Sequence, residues 1–249
     1  MVTQVTMPRR ARTTIIPQLM TELITPAPRA VIFDMDGTLA DTFPLVVSAW
    51  NAAMRGHAGR DATAEEVIAR FGVPDPMMIR NALPPHLGDE AVEVYHVHYE
   101  RQHGALAQPF EGITEMLAAI KSRGLLTGVM TGKGRRSAKI TLAALAWEGM
   151  FDAVVTGEDV THQKPHPEGL LKVTEQLRVA PAECVFVGDS PADIGAGKNA
   201  GMRTIVAGWH PVYLDEVRAM GPDYWAGTPE DVVKLLGAPS LSPRGRGQG

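Results

Sequence analysis

The chain has 249 residues, 45% of them hydrophobic, with a formal net charge of -4 and a single cysteine. That length and apolar fraction suit one large domain, or one domain carrying an insertion, around a sizeable core. One cysteine excludes an intrachain disulfide and a thiolate metal cluster, and no apolar stretch approaches the roughly 20 residues of a membrane span.

Charge is unevenly placed along the chain. The first 29 residues hold four arginines and one glutamate and the last 13 hold two arginines and no acid, which leaves 18 bases against 27 acids in residues 30–236. So acidic a body is a poor surface for nucleic acid, whose binding rests on neutralising phosphates; neither nucleic acid nor a membrane is an expected partner. Residues 1–29 open with "MVTQVTMPRRARTT", polar and without periodicity, and are expected to form a disordered extension. Their arginine-bearing, acid-poor composition also fits a basic targeting presequence. The charged-then-apolar order of a secretory signal is missing, so the cytoplasm is the expected location.

The first strand is expected over residues 30–34, "AVIFD", and it runs straight into Asp36, Gly37 and Thr38. From residue 44 to 108 no strand is convincing. Four helical stretches, "PLVVSAWNAAMRG", "TAEEVIARFG", "DPMMIRNAL" and "DEAVEVYHVHYERQHG", fill the interval and read as a small helical insert. Proline-containing junctions at "TFP" and "QPF" suit a hinge. Beyond the insert, strands are expected at 125–131, 153–156, 184–188 and 203–206, and helices at 112–123, 135–147, 168–178 and 192–200. Short apolar runs alternating with helices predict an α/β fold, a parallel sheet with helices on both faces. Residues 237–249, "GAPSLSPRGRGQG", read as a second disordered tail. The core is thus expected from residues 30–43 and 109–236.

In an open parallel sheet, ligands sit outside the carboxyl ends of the strands. The expected strand ends there are Asp34, Asp36, Gly37 and Thr38; then Thr131 and Gly132; then the loop with Lys164; then Gly188, Asp189, Ser190 and Asp193. Each alone has a plain structural meaning: Asp-Gly-Thr as a turn, a strand-ending threonine as a cap, Lys164 as a loop charge. Together they make an oxygen-rich site of the kind that binds Mg²⁺, with a lysine and a threonine placed to hold a phosphoryl group.

"DMDGT", "VMTGK", "HQKPHP" and "VGDSPADIGAGKNAG" resemble, in order and over nearly all of residues 30–236, the four motifs of the haloacid dehalogenase superfamily. The insert at 44–108 resembles its C1-type cap, near phosphoglycolate phosphatases and β-phosphoglucomutases. The resemblance implies a Rossmann-like core and a nucleophile at Asp34 that takes the phosphoryl group. It implies a general acid, then base, at Asp36, whose backbone carbonyl joins the metal shell. Thr131 would bond the phosphoryl oxygens, Lys164 offset their charge, Asp189 bind Mg²⁺, and Asp193 support the metal's waters or Lys164. Relatives often carry asparagine after the motif threonine; here Gly132 and then Lys133 follow.

Asp36 favours phosphoryl chemistry over dehalogenation, which has no alkoxide to protonate. No lysine occurs between residues 44 and 109, as a Schiff-base phosphonatase would need. Hydrolysis of a phosphoglycolate-type or sugar phosphate ester is the expected reaction, with β-phosphoglucomutase-like transfer, or a non-catalytic binding protein on the same fold, as alternatives. The expected partner is a small phosphorylated metabolite, and the expected state a monomer or homodimer. Arg55, Arg70, Arg80 and the loop "FGVPDPMM" are the candidate substrate contacts of the insert. His96 and His98, two apart, cannot share a helix face, and His162 and His166 flank Lys164 on what reads as a loop surface.

Overall fold

A computed structural model describes residues 22–237. In chain order, β1 (Ala30–Phe33) and β2 (Ala40–Asp41) precede four helices, α1 (Phe43–Met54), α2 (Ala64–Ile68), α3 (Asp75–Ala82) and α4 (Pro85–Leu106), after which β3 (Gln108–Pro109) returns the chain. There follow α5 (Ile113–Ser122), β4 (Leu126–Met130), α6 (Arg135–Ala144), β5 (Ala153–Val155), α7 (Glu168–Leu177) and β6 (Cys184–Gly188). The remainder is α8 (Pro191–Asn199), β7 (Arg203–Ala207), α9 (Leu214–Ala219), β8 (Tyr224–Ala226) and α10 (Pro229–Leu235).

Six strands form one parallel sheet in the order β5-β4-β1-β6-β7-β8. Alternate residues of a strand point to opposite faces, and both faces are covered. Val31 and Phe33 of β1, with Val185 and Val187 of β6, pack into one apolar layer, whereas Ala30, Ile32, Cys184 and Phe186 pack into the other. That double burial is why these strands read as short continuous apolar runs. β8 and the helices around it add an edge that the sequence reading did not anticipate.

The four helices between β2 and β3 bury a core of their own, around Leu45, Trp50, Ile79, Tyr95 and Tyr99. α4 begins at Pro85, earlier than its "DEAVEV" pattern suggested, because proline is tolerated in the first turn, where no intrahelical N–H bond is owed. The chain's two crossings between the layers lie side by side: β2 and β3 pair antiparallel, Ala40 with Pro109 and Asp41 with Gln108.

The expected disorder up to residue 29 is corrected by the structure for residues 22–29. Ile24 is buried in the core and its N–H donates to the Leu235 carbonyl at 2.9 Å, while the Arg203 guanidinium donates to the Pro26 carbonyl at 2.6 Å. Two adjacent apolar residues, Leu23 and Ile24, carry no periodicity, so only tertiary packing reveals this anchor. Residues 1–21 and 238–249, the rest of the expected extension and tail, lie outside the described residues. Among the described residues no helix is long and apolar enough to cross a membrane.

Candidate active site

Asp34 stands just past β1, 6% exposed, its N–H donating to the Val187 carbonyl at 2.9 Å. Lys164, from the loop before α7, reaches across β1 and β6. Its Nζ lies 2.7 Å from Asp34 Oδ1 and 2.6 Å from Asp193 Oδ1. The other oxygen of Asp193 is spent on the start of α8, where Ser190 N–H and Oγ both donate to Oδ2 and Ser190 Oγ accepts from the Asp193 N–H. A single helix cap therefore aims one carboxylate oxygen at the lysine.

Asp189, just past β6, accepts from Thr38 Oγ1 at 3.1 Å and contacts His210 Nδ1 at 2.7 Å. His210 is itself packed against the rings of Phe43 and Phe110. Gly37 sits at φ +80°, and a Cβ there would fall on the Asp189 carboxylate, so glycine is required on both conformational and steric grounds. Gly188 is tied likewise to Asp193, which a Cβ would strike. Thr131, fully buried past β4, accepts from the Lys133 N–H at 3.2 Å, and Gly132 lines the cleft between them.

Asp36 shares the cleft with this group but is held by partners of its own. Lys133 Nζ lies 3.1 Å from its Oδ1, and Thr42 Oγ1 donates to the same oxygen. The Lys133 side chain is only 2% exposed and its ammonium stands 4.8 Å from the centroid of the Tyr99 ring. Burial alone would lower the Lys133 pKa, but Asp36, then Tyr99 and Asp75, outweigh it and hold it above its ordinary value. Lys164 is raised in the same way, by Asp193 and Asp34 against burial.

The Asp34 carboxyl is raised well above the ordinary carboxylate range, first by burial, with Lys164 opposing and Asp193, Asp189 and Asp36 adding to the rise. Asp189 is raised too, again chiefly by burial, against the hydrogen bond from His210. Carboxylate oxygens of Asp34, Asp189 and Asp193 lie within 4.8 Å of one another. Crowded, buried, hard-oxygen donors with surplus negative charge fit a small divalent cation such as Mg²⁺.

These groups open into a cleft of about 360 Å³ between the sheet and the helical layer. The loop singled out in the sequence does reach it, through Phe71, Gly72, Val73, Asp75 and Met78. The three arginines do not. Arg55 is exposed beyond the end of α1, Arg70 lies over the Trp50 ring at 5.1 Å and lines a separate hollow, and Arg80 pairs with Asp89 at 2.9 Å. Helix spacing alone did not tell which flank of each helix turns toward the sheet.

Asp75 joins the layers: it accepts from the Gly134 N–H and from Ser137 Oγ, both at 2.7 Å, and lies 3.3 Å from His96 Nε2. His98 contacts Ser48 at 2.8 Å, and His162 and His166 stack on an exposed loop beside Glu168. The sequence reading missed Tyr95 and Tyr213 as cleft residues and His210 as the partner of Asp189, and noted Lys133 only as the residue that follows Gly132. His210 was within reach, since it follows β7 as Asp189 follows β6, and the strand-end rule applies equally there.

The structure is thus a parallel α/β core under a layer of helices, with this cluster at the strand ends between them. Residues 31–207 match the family model of haloacid dehalogenase-like hydrolases, and the chain belongs to that family. It is 30% identical to the pyrophosphatase PpaX of Anoxybacillus flavithermus, over 84% of this chain and 97% of the relative. It is 32% identical to a phosphoglycolate phosphatase of Aquifex aeolicus, over 84% of this chain and 96% of that one. Among solved structures, CbbY from Rhodobacter sphaeroides, in complex with phosphate, shares the fold with a TM-score of 0.70 at 22% identity, covering 81% of this chain and 95% of CbbY.

Proposed function

We propose that the chain hydrolyses a small phosphate monoester in two steps, through a phosphoryl group carried on Asp34, with Mg²⁺ as cofactor. An oxygen of Asp34 attacks phosphorus as the bond to the leaving oxygen breaks, and Asp36 gives that oxygen a proton. Asp36 then takes a proton from water, whose oxygen displaces Asp34 and releases phosphate. Thr131 and Lys164 hold the phosphoryl oxygens. Asp34 and Asp189, with the Asp36 carbonyl and Asp193 in support, would hold Mg²⁺, which when bound offsets negative charge on the transferring group.

The observation that carries the reading is the clamp on Asp34: a buried carboxylate at a strand end, fixed by Lys164, with Asp189 beside it. The names of the relatives, a pyrophosphatase and a phosphoglycolate phosphatase, support a small phosphorylated substrate.

Asp34→Asn is expected to abolish phosphate release while leaving the circular dichroism spectrum unchanged, because the amide is nearly isosteric and a far poorer nucleophile. Substantial residual turnover would remove Asp34 from the role. Conversion of β-glucose 1-phosphate to glucose 6-phosphate without release of phosphate would replace hydrolysis by transfer.

A further inference from the structure

We infer that the alcohol released from the ester is uncharged and mostly apolar, and that it carries an oxygen which accepts a hydrogen bond from Tyr95. This rests on the phosphatase reading above and narrows its substrate class.

The wall facing the phosphoryl end is supplied by the cap, through Phe43, Val46, Ile68, Phe71 and Met78. Four carboxylates, Asp34, Asp36, Asp75 and Asp189, and two lysines, Lys133 and Lys164, line the cleft, and no arginine does among the described residues. Both lysines are engaged, Lys164 by Asp34 and Asp193 and Lys133 by Asp36. A divalent cation would bring the formal charge of this lining to balance, and the phosphoryl dianion alone then makes it negative. A carboxylate or a second phosphate on the leaving group would face apolar side chains and Asp75 with no cation left to receive it. Burying an unpaired anion is among the costliest contacts a site can make, and it acts here as a filter.

Tyr95 supplies the polar contact. It lines the cleft, is fully buried, and its hydroxyl has no hydrogen-bond partner among the described residues. The ring is held between Tyr99, with centroids 5.7 Å apart, and His96, at 5.5 Å. Burial, and after it the charge of Asp75, keep the phenol well above its ordinary pKa, so it remains an O–H donor at any working pH. A buried donor left unmatched is costly, and a site that donates to a substrate oxygen rejects analogues lacking it far more strongly than an apolar wall rejects a methylene.

The test compares phosphate release, with Mg²⁺, from butyl phosphate, the 2-, 3- and 4-hydroxybutyl phosphates, phosphoglycolate and pyrophosphate. Calorimetric affinities of the same compounds for the Asp34→Asn variant, which binds without turnover, give a second readout. The best hydroxybutyl ester is expected to exceed phosphoglycolate and pyrophosphate by about 30-fold or more in kcat/KM, and butyl phosphate by about 10-fold. In Tyr95→Phe the advantage over butyl phosphate should fall to about parity, with the preference over the two anionic compounds retained. Faster turnover or tighter binding of phosphoglycolate or pyrophosphate would overturn the inference and leave the phosphatase reading standing. An unchanged hydroxybutyl advantage in Tyr95→Phe would remove Tyr95 from recognition. Failure of every compound to release phosphate would overturn both readings.

Discussion

Replacing Lys133 with methionine is expected to destabilise the protein by about 3 kcal/mol at pH 7. Its ammonium is buried against Asp36 at 3.1 Å and over the ring of Tyr99. Removing one member of a buried pair typically costs about 3–5 kcal/mol, since the other charge is left uncompensated. The lower end applies because the Asp36 side chain keeps 21% exposure and the hydrogen bond from Thr42. Loss of the contact with Tyr99 adds about 1 kcal/mol, and burial of the methionine side chain offsets a similar amount. In a chain of this size, about 3 kcal/mol lowers Tm by roughly 6–12 °C. Urea unfolding followed by circular dichroism would be run on the parent, Lys133→Met, Asp36→Asn and the double variant. Neutralising both partners should recover at least half of the single variant's loss, a coupling of about 2 kcal/mol. Additive losses, or a Lys133→Met variant within about 1 kcal/mol of the parent, would refute the view that this pair is one unit.

Asp75 predicts an acid-sensitive seam between the layers. Burial alone would raise its carboxyl, but the contact with His96, the charge of Lys133 and the bonds from Ser137 and Gly134 outweigh it and hold it below the ordinary value. Its stabilisation is therefore complete above the ordinary carboxylate range and lost as pH falls toward the folded value. The urea midpoints of the parent and Asp75→Asn should differ clearly at pH 7 and draw together as pH falls below the ordinary carboxylate range; a constant gap would contradict this. His210→Leu, which removes the partner of Asp189 Oδ2, should weaken Mg²⁺ affinity by calorimetry about 10-fold or more, and unchanged affinity would deny His210 a positioning role. Tyr95→Phe, which deletes an unmatched buried hydroxyl, should stabilise the protein by about 1 kcal/mol, read as a higher Tm; a lower Tm would show that the hydroxyl has a partner in the free protein.

What could be read from sequence depended on how far apart the cooperating residues lie. The run "AVIFD" ends on its acid within the same few residues that make the strand, and the same holds for "VFVGD", so the strand ends and the parallel sheet were legible. The structure then gathers Asp34, Lys164, Asp189 and Asp193 into one cluster. Contacts created only by packing were not legible. Whether Arg70 turns to the cleft or lies on Trp50 depends on how α2 settles against α1, and the partner of Lys133 comes from a loop on the far side of the cap in sequence. Ile24 shows the same limit at the chain's start.

The pairing of β2 with β3 makes the cap, from the core's point of view, a loop of almost no width. Chain entry and exit are already held together, so closing the loop costs little more for a large cap than for a small one, because closure entropy grows only logarithmically with length. The cap also buries its own apolar core, so its folding need not disturb the sheet. Residues 42–107 are accordingly an exchangeable module: a different helical layer grafted between Asp41 and Gln108 would meet the same strand ends and acidic cluster and cover them with a different wall, provided the new layer replaces what Thr42 and Tyr99 supply to Asp36 and Lys133 at the seam.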